Sequence, residues 1–291
     1  MKKLLLAAAL VFAIAGSAQA YTAYLKPSEF YPDDARVTVQ GSFATSFFTP
    51  GIALSGNFVF FEPDGTEGVF NQIEVGSESA NLGASLTSAG TYRITTGEIL
   101  GQVVTLIAEN GTWRPLPAGE AAPAGSETTT LQTVTLSDVY VTRGSPSREN
   151  VDSVLGRLAI RPITHPNEVL ASAPFQVQAL FDGQPFANAA LVLYNEGDPE
   201  TDLDTYFATD ANGNATITLP GPGTYILAAR HRANAPAGAA AQVQSYTTTL
   251  VFEALTELYP ITEVRDEEAA PAVDRHEQRR RRRDPRLGRG G

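Results

Sequence analysis

The chain has no cysteine and only three histidines, His165, His231 and His276, in 291 residues. Missing thiols exclude disulfides, thiolate metal centres and cysteine nucleophiles. Stability must come from buried apolar area, which a chain of this length can supply in two domains. Scarce imidazole means that a site needing several of them forms only if distant loops converge. Also absent are a Gly-x-Ser-x-Gly elbow, a His-Glu-x-x-His pair and a phosphate-cradling glycine loop. Nothing singles out two carboxylates for glycoside chemistry. On these grounds no catalytic and no cofactor-binding residue is assigned, and the chain reads as a non-enzyme.

Long apolar runs are missing as well. The one present, Leu4 to Gly16, falls short of the roughly 18 residues a spanning helix requires. It follows Lys2 and Lys3 and precedes Ala18-Gln19-Ala20, the layout of a secretory signal with small residues at its cleavage site. Residues 1–20 are therefore expected to be removed after Ala20, giving a periplasmic product with no stable membrane insertion. Since no cysteine follows, lipoprotein anchoring lacks its thiol.

Positive charge is scarce in the body of the chain. The net charge is −11; the signal carries +2 and residues 263–291 carry +2, which leaves −15 on residues 21–262. So acidic a body repels nucleic acid and anionic membrane and tolerates nearby cations. Solvation of an exported surface accounts for it equally well.

What is abundant is turn chemistry between short β-branched and aromatic runs. Asp64-Gly65, Asp182-Gly183, Asn212-Gly213 and Pro222-Gly223 punctuate such runs in the manner of a β-sandwich. The pattern occurs twice. Val59-Phe60-Phe61-Glu62 and Gly90-Thr91-Tyr92 recur 133 residues later as Val192-Leu193-Tyr194-Asn195 and Gly223-Thr224-Tyr225. In each copy Gly-Thr-Tyr opens a strand, with a glycine at special φ and an aromatic plugging the sandwich end. The expected fold is all-β: two tandem Ig-like or transthyretin-like β-sandwich domains over 21–145 and 146–255, followed by a disordered Arg-rich tail over 256–291. Strands are expected at Ala35–Ser42, Ala53–Glu62, Gly90–Thr96, Val103–Asn110, Thr128–Thr142 and Ala215–Leu219, within a few residues. Leu116–Glu127 reads as a loop, Arg143–Arg148 as the hinge and Glu149–Leu155 as a short helix. The five consecutive arginines Arg279–Arg283 read either as a basic arm for anionic polymers or as an extension lying loosely on the acidic body.

Candidate ligands are few. His165 sits in Thr-His-Pro-Asn, where Pro166 disfavours helix and Asn167 suits a turn. His231 lies between Arg230 and Arg232, which oppose a bound cation, and His276 belongs to the tail. Asp198, Asp202, Asp204, Asp210, Asn212 and Asn214 resemble a Ca²⁺ loop, but Gly213 is misplaced and no closing glutamate follows. An Asx-type hairpin turn explains them better. Trp113 could stack on a sugar together with Tyr21 and Tyr24, or pack the edge of the first domain.

Several stretches together resemble the periplasmic domain-of-unknown-function family 4198. They are Ala23–Ser28, Gly156–Asn167, Leu180–Pro185, Thr209–Gly213 and Pro222–Tyr225. The resemblance spans most of 21–255. It implies a two-domain periplasmic β protein without catalysis, an accessory or binding component associated with cobalt and nickel uptake. Ni²⁺ or Co²⁺ would be the ligand, and an outer-membrane receptor or a cation permease the partner. Members often begin after cleavage with His; here Tyr21 stands instead, and a phenol is a poor replacement for neutral imidazole. The metal site therefore stays unknown. The alternative is an adhesion-like interaction module with no metal role.

Overall fold

A computed structural model describes residues 22–117 and 119–261. The expected signal segment and most of the Arg-rich tail lie outside the described residues. Among the described residues no helix is long and apolar enough to cross a membrane.

Among the described residues strands dominate, in three sheets. One small sheet holds β1 (Thr22–Pro27), β2 (Arg36–Ala44), β3 (Ile52–Ala53), β5 (Gln72–Val75) and β6 (Ala80–Ser85). A second holds β12 (Leu158–Pro162), β14 (Phe175–Phe181), β15 (Gln184–Pro185) and β18 (Asn214–Ile217). The remaining eleven strands form one sheet. From the first half it takes β4 (Val59–Phe61), β7 (Gly90–Thr95), β8 (Ile99–Leu100), β9 (Val104–Glu109), β10 (Thr112–Pro115) and β11 (Thr128–Arg143). From the second it takes β13 (Val169–Leu170), β16 (Ala190–Asn195), β17 (Tyr206–Ala208), β19 (Gly223–Asn234) and β20 (Val243–Leu255). A single helical turn, α1 (Glu149–Asp152), sits in the linker.

The halves are joined through β11 and β20, which pair in parallel from Leu131↔Val243 to Val139↔Val251. Each then pairs antiparallel with its own half, β11 with β7 and β20 with β19. The order β4-β7-β11-β20-β19-β16 is thus palindromic. The 133-residue repeat is visible in the register itself: Phe60↔Ile94 matches Leu193↔Leu227, and Phe61↔Arg93 matches Tyr194↔Ile226. The small sheets repeat too, since Lys26↔Gln40 and Gln40↔Asn81 correspond to Arg161↔Gln178 and Gln178↔Asn214.

The small sheets lie on opposite faces of the shared one, and side chains that alternate along each strand sort between them. Val139, Val141, Val192, Tyr194, Ile226, Ala228 and Val251 pack with Tyr24, Leu25, Val37, Val39 and Leu82. Tyr140, Leu191, Leu193, Tyr225, Leu227, Leu250 and Phe252 pack with Leu158, Ile160, Phe175, Val177 and Ile217. Burial on both faces is why Leu191-Val192-Leu193-Tyr194 reads as an unbroken apolar run rather than an alternating one. The two sandwiches share their middle layer.

Gly-Thr-Tyr does similar work in both copies. Gly90 and Gly223 have φ of 138° and 152°, a region that favours glycine. The Tyr92 hydroxyl donates to the Ser88 carbonyl at 2.7 Å and the Tyr225 hydroxyl to the Gly221 carbonyl at 2.7 Å, four residues upstream each time. Both are tyrosine corners of the kind found in Ig sandwiches. One expected strand is corrected: Ala53–Glu62 divides into β3 and β4, because the chain crosses from the small sheet to the shared one around Gly56.

Candidate functional site

The linker and the loop after β12 meet in a buried polar junction at the end of β7 and β11. His165 lies there, 5% exposed. Its Nε2 is 3.0 Å from Thr91 Oγ1 and 3.1 Å from the Ser147 carbonyl, and its Nδ1 accepts the Asn167 N–H at 3.2 Å. These partners suit the neutral ring with its proton on Nε2. Burial pushes the imidazole below its ordinary pKa. Asn167 Nδ2 donates to the carbonyls of Tyr140 and Phe30, and Asn150 Nδ2 to those of Glu62 and Thr91. This imidazole is fully used in holding the linker to the first half.

His231 is in a different place. It meets the rings of Phe181 and Phe186 edge-on, with centroids 4.6 and 4.5 Å away. Burial and the nearby Arg157 charge lower its pKa. Arg157 caps the cluster, lying over Phe181 and Tyr246 and donating to Asp182 at 2.5 and 2.7 Å. His231 sits opposite Tyr246, eight positions along β20 from Ala254, the partner of Val169 just after His165, or roughly 26 Å. The two imidazoles do not converge. His276 and Tyr21 lie outside the described residues.

The Asp198–Asn214 stretch closes on itself. The Asp198 carboxylate accepts from Asn195, Asp202 from the Asp204 N–H, and Asp210 from the N–H groups of Asn212 and Asn214 at 2.8 Å each. Those at Asp202 and Asp210 are Asx turns, while Asp198 folds back on Asn195. The expected hairpin is corrected, because β17 joins the shared sheet and β18 the small one, so the turn carries the chain between layers. Trp113 lies on β10 near the edge of the shared sheet, while Tyr24 is buried in the core. Trp113 and Tyr24 do not line one groove.

Ni²⁺ or Co²⁺ needs several nitrogen or oxygen donors aimed at one point. Among the described residues no three of His, Cys, Asp and Glu are grouped to hold an ion. The donors among the described residues do not fit the implied metal.

Two charge clusters, one buried throughout and one built on the buried Glu200, escaped sequence reasoning. Arg93 donates through Nε and Nη2 to both Asp138 oxygens at 3.1 and 2.5 Å and through Nη1 to the Ser153 carbonyl at 2.8 Å. Glu200 accepts from the Thr22 hydroxyl at 2.5 Å, and Arg230 reaches that hydroxyl at 3.1 Å and the Tyr194 hydroxyl at 2.9 Å. Burial raises the Glu200 pKa. Nothing in the local sequence pairs Thr22 with a residue 178 positions away.

A groove of about 390 Å³ opens where the chain leaves β1 and where β20 ends. Lys26, Glu29, Tyr31, Asp33, Glu253 and Tyr259 line it. Tyr31 and Tyr259 stack at 5.1 Å, and the Tyr259 hydroxyl lies 3.2 Å from Glu253 Oε2. Burial lifts the Glu253 pKa. Lys26 is turned toward Glu196 at 3.5 Å and the Phe48 ring at 4.6 Å. The groove can hold a ligand that offers positive charge and hydrogen-bond donors.

Among curated proteins none matches the chain. Among solved structures, the D0-D1 domain of Intimin aligns over 79% of this chain and 96% of its own length, at 13% identity and a TM-score of 0.20. The family model described as Domain of unknown function (DUF4198) matches residues 18–233, and the chain belongs to that family.

Proposed function

We propose that this is an exported, non-catalytic binding protein whose shared-sheet body presents the groove beside Glu253 and Tyr259 to a partner in the periplasm. The observation that carries this reading is a concentration of negative charge at an open surface. His165, His231, Asp198 and Asp210 are engaged in packing and turns, whereas Glu29, Asp33 and Glu253 gather around one groove, beside the stacked rings of Tyr31 and Tyr259. Export rests on Lys2, Lys3, the apolar run and Ala18–Ala20. The partner expected from the family resemblance is a receptor or permease of a cation-uptake system. On this reading the protein serves such a system through protein contact rather than by ligating the ion.

Site-specific photo-crosslinking from position 259, in cells of the source organism, tests the proposal. A discrete adduct that survives a metal chelator and is absent from a control probe at Asn212 supports it. An adduct formed only with added Ni²⁺ or Co²⁺, or no adduct at position 259, counts against it.

A further inference from the structure

The internal repeat says what the groove is built to hold. By the register of the shared sheet, Thr224 and Glu253 are the counterparts of Thr91 and Thr142. In the first half that position is filled by polypeptide. Ser147 Oγ accepts the Thr91 N–H at 2.9 Å, and Asn150, His165 and Asn167 close over the strand ends. In the second half the same position is the open groove, with Thr224 and Glu253 in its wall. A carboxylate has replaced the Thr142 hydroxyl, and Glu29 and Asp33 add negative charge at the rim.

Resting on the binding reading above, we propose that the groove receives a basic polypeptide segment, and that its resident occupant is Arg279–Arg283 of the same chain. Three observations on charge, chemistry and length support this. The groove lining carries three carboxylates against one lysine, and that lysine is already directed to Glu196. Guanidinium is the cation that pairs with carboxylates in a fork and stacks on phenol rings, and the groove offers both. Tyr259 and Pro260 stand in the groove wall, and the described chain ends one residue later at Ile261. Residues 262–278 then supply seventeen residues before the arginines, a reach of up to about 56 Å. Tethering at that length gives an effective concentration of about millimolar order, enough to exclude a weak external competitor.

The test uses the full chain and a fluorescein-labelled pentaarginine peptide read by anisotropy at low salt. Wild type is compared with a variant carrying glutamine at positions 279–283, and with the same variant carrying Glu253→Gln and Asp33→Asn. Glu29→Gln, at the exposed rim, provides a groove variant with no core residue touched. The peptide should bind the glutamine variant at least tenfold more tightly than wild type, and each groove substitution should weaken that binding. Equal binding to wild type and the glutamine variant, still weakened by the groove substitutions, would overturn the resident-arginine inference and leave the binding groove standing. Binding indifferent to every groove substitution would remove both.

Discussion

At single residues the two copies of Gly-Thr-Tyr differ in what surrounds them. A Cβ on Gly90 would lie 2.4 Å from Pro63 Cβ, whereas on Gly223 its nearest contact is the Tyr225 ring at 3.8 Å. Both positions strain an L side chain, but only the first also clashes. Gly90→Ala should cost about 3 kcal/mol and Gly223→Ala about 1 kcal/mol, read by urea unfolding. A larger loss at Gly223 would refute this account of the repeat. The Arg93–Asp138 pair makes a second case. Asp138→Asn leaves a buried guanidinium without its counter-charge and should cost about 3–5 kcal/mol, whereas Arg93→Met with Asp138→Leu should recover most of that. Thermal denaturation of the three proteins gives the comparison. Sequence gave good notice of the glycines, because turn residues act locally. It gave none of Arg93–Asp138, whose partners lie 45 residues apart on strands of unmarked register.

Among the elements, the linker junction should behave as a pH-dependent clasp. His165 is held neutral by burial, so its pKa in the fold is below the 6.5 of a free ring. The unfolded chain therefore binds the extra proton first. The stabilisation is fully present above pH 6.5 and is lost as the pH falls through the lowered value. Arg148 adds to this lowering, while Glu168 and Asp152 oppose it. His165→Gln should cost about 1–2 kcal/mol at pH 7.5 and flatten the fall in stability below pH 6.5. Unfolding midpoints measured from pH 7.5 to 5 decide it; an unchanged slope in the variant would contradict the clasp. Thr-His-Pro-Asn was legible as a turn from Pro166 and Asn167, but its role as a seal depends on Thr91 and Thr142, brought near only by the fold. The strand expected over Ala53–Glu62 divides for a related reason: apolar composition continues across a point where the chain changes sheet.

For the whole molecule, the repeat was legible and the way its copies join was not. Antiparallel neighbours joined by tight turns leave a local signature, such as the Asp182-Gly183 hairpin with both residues at positive φ. A parallel pair such as β11 and β20 has partners 112 residues apart and no turn between them, so periodicity cannot announce it. The consequence is cooperative. Val192, Tyr194, Ile226, Ala228 and Val251 belong to the second half by sequence but bury against the first half's small sheet. Residues 146–255 expressed alone should therefore expose these side chains and fail to give a sharp unfolding transition. The most direct test is native-state hydrogen exchange on the amides of 135–139 in β11 and 247–251 in β20. A single shared sheet predicts that both sets exchange only through global unfolding, at one common free energy. Protection of one strand persisting while the other opens at a distinctly lower free energy would contradict it.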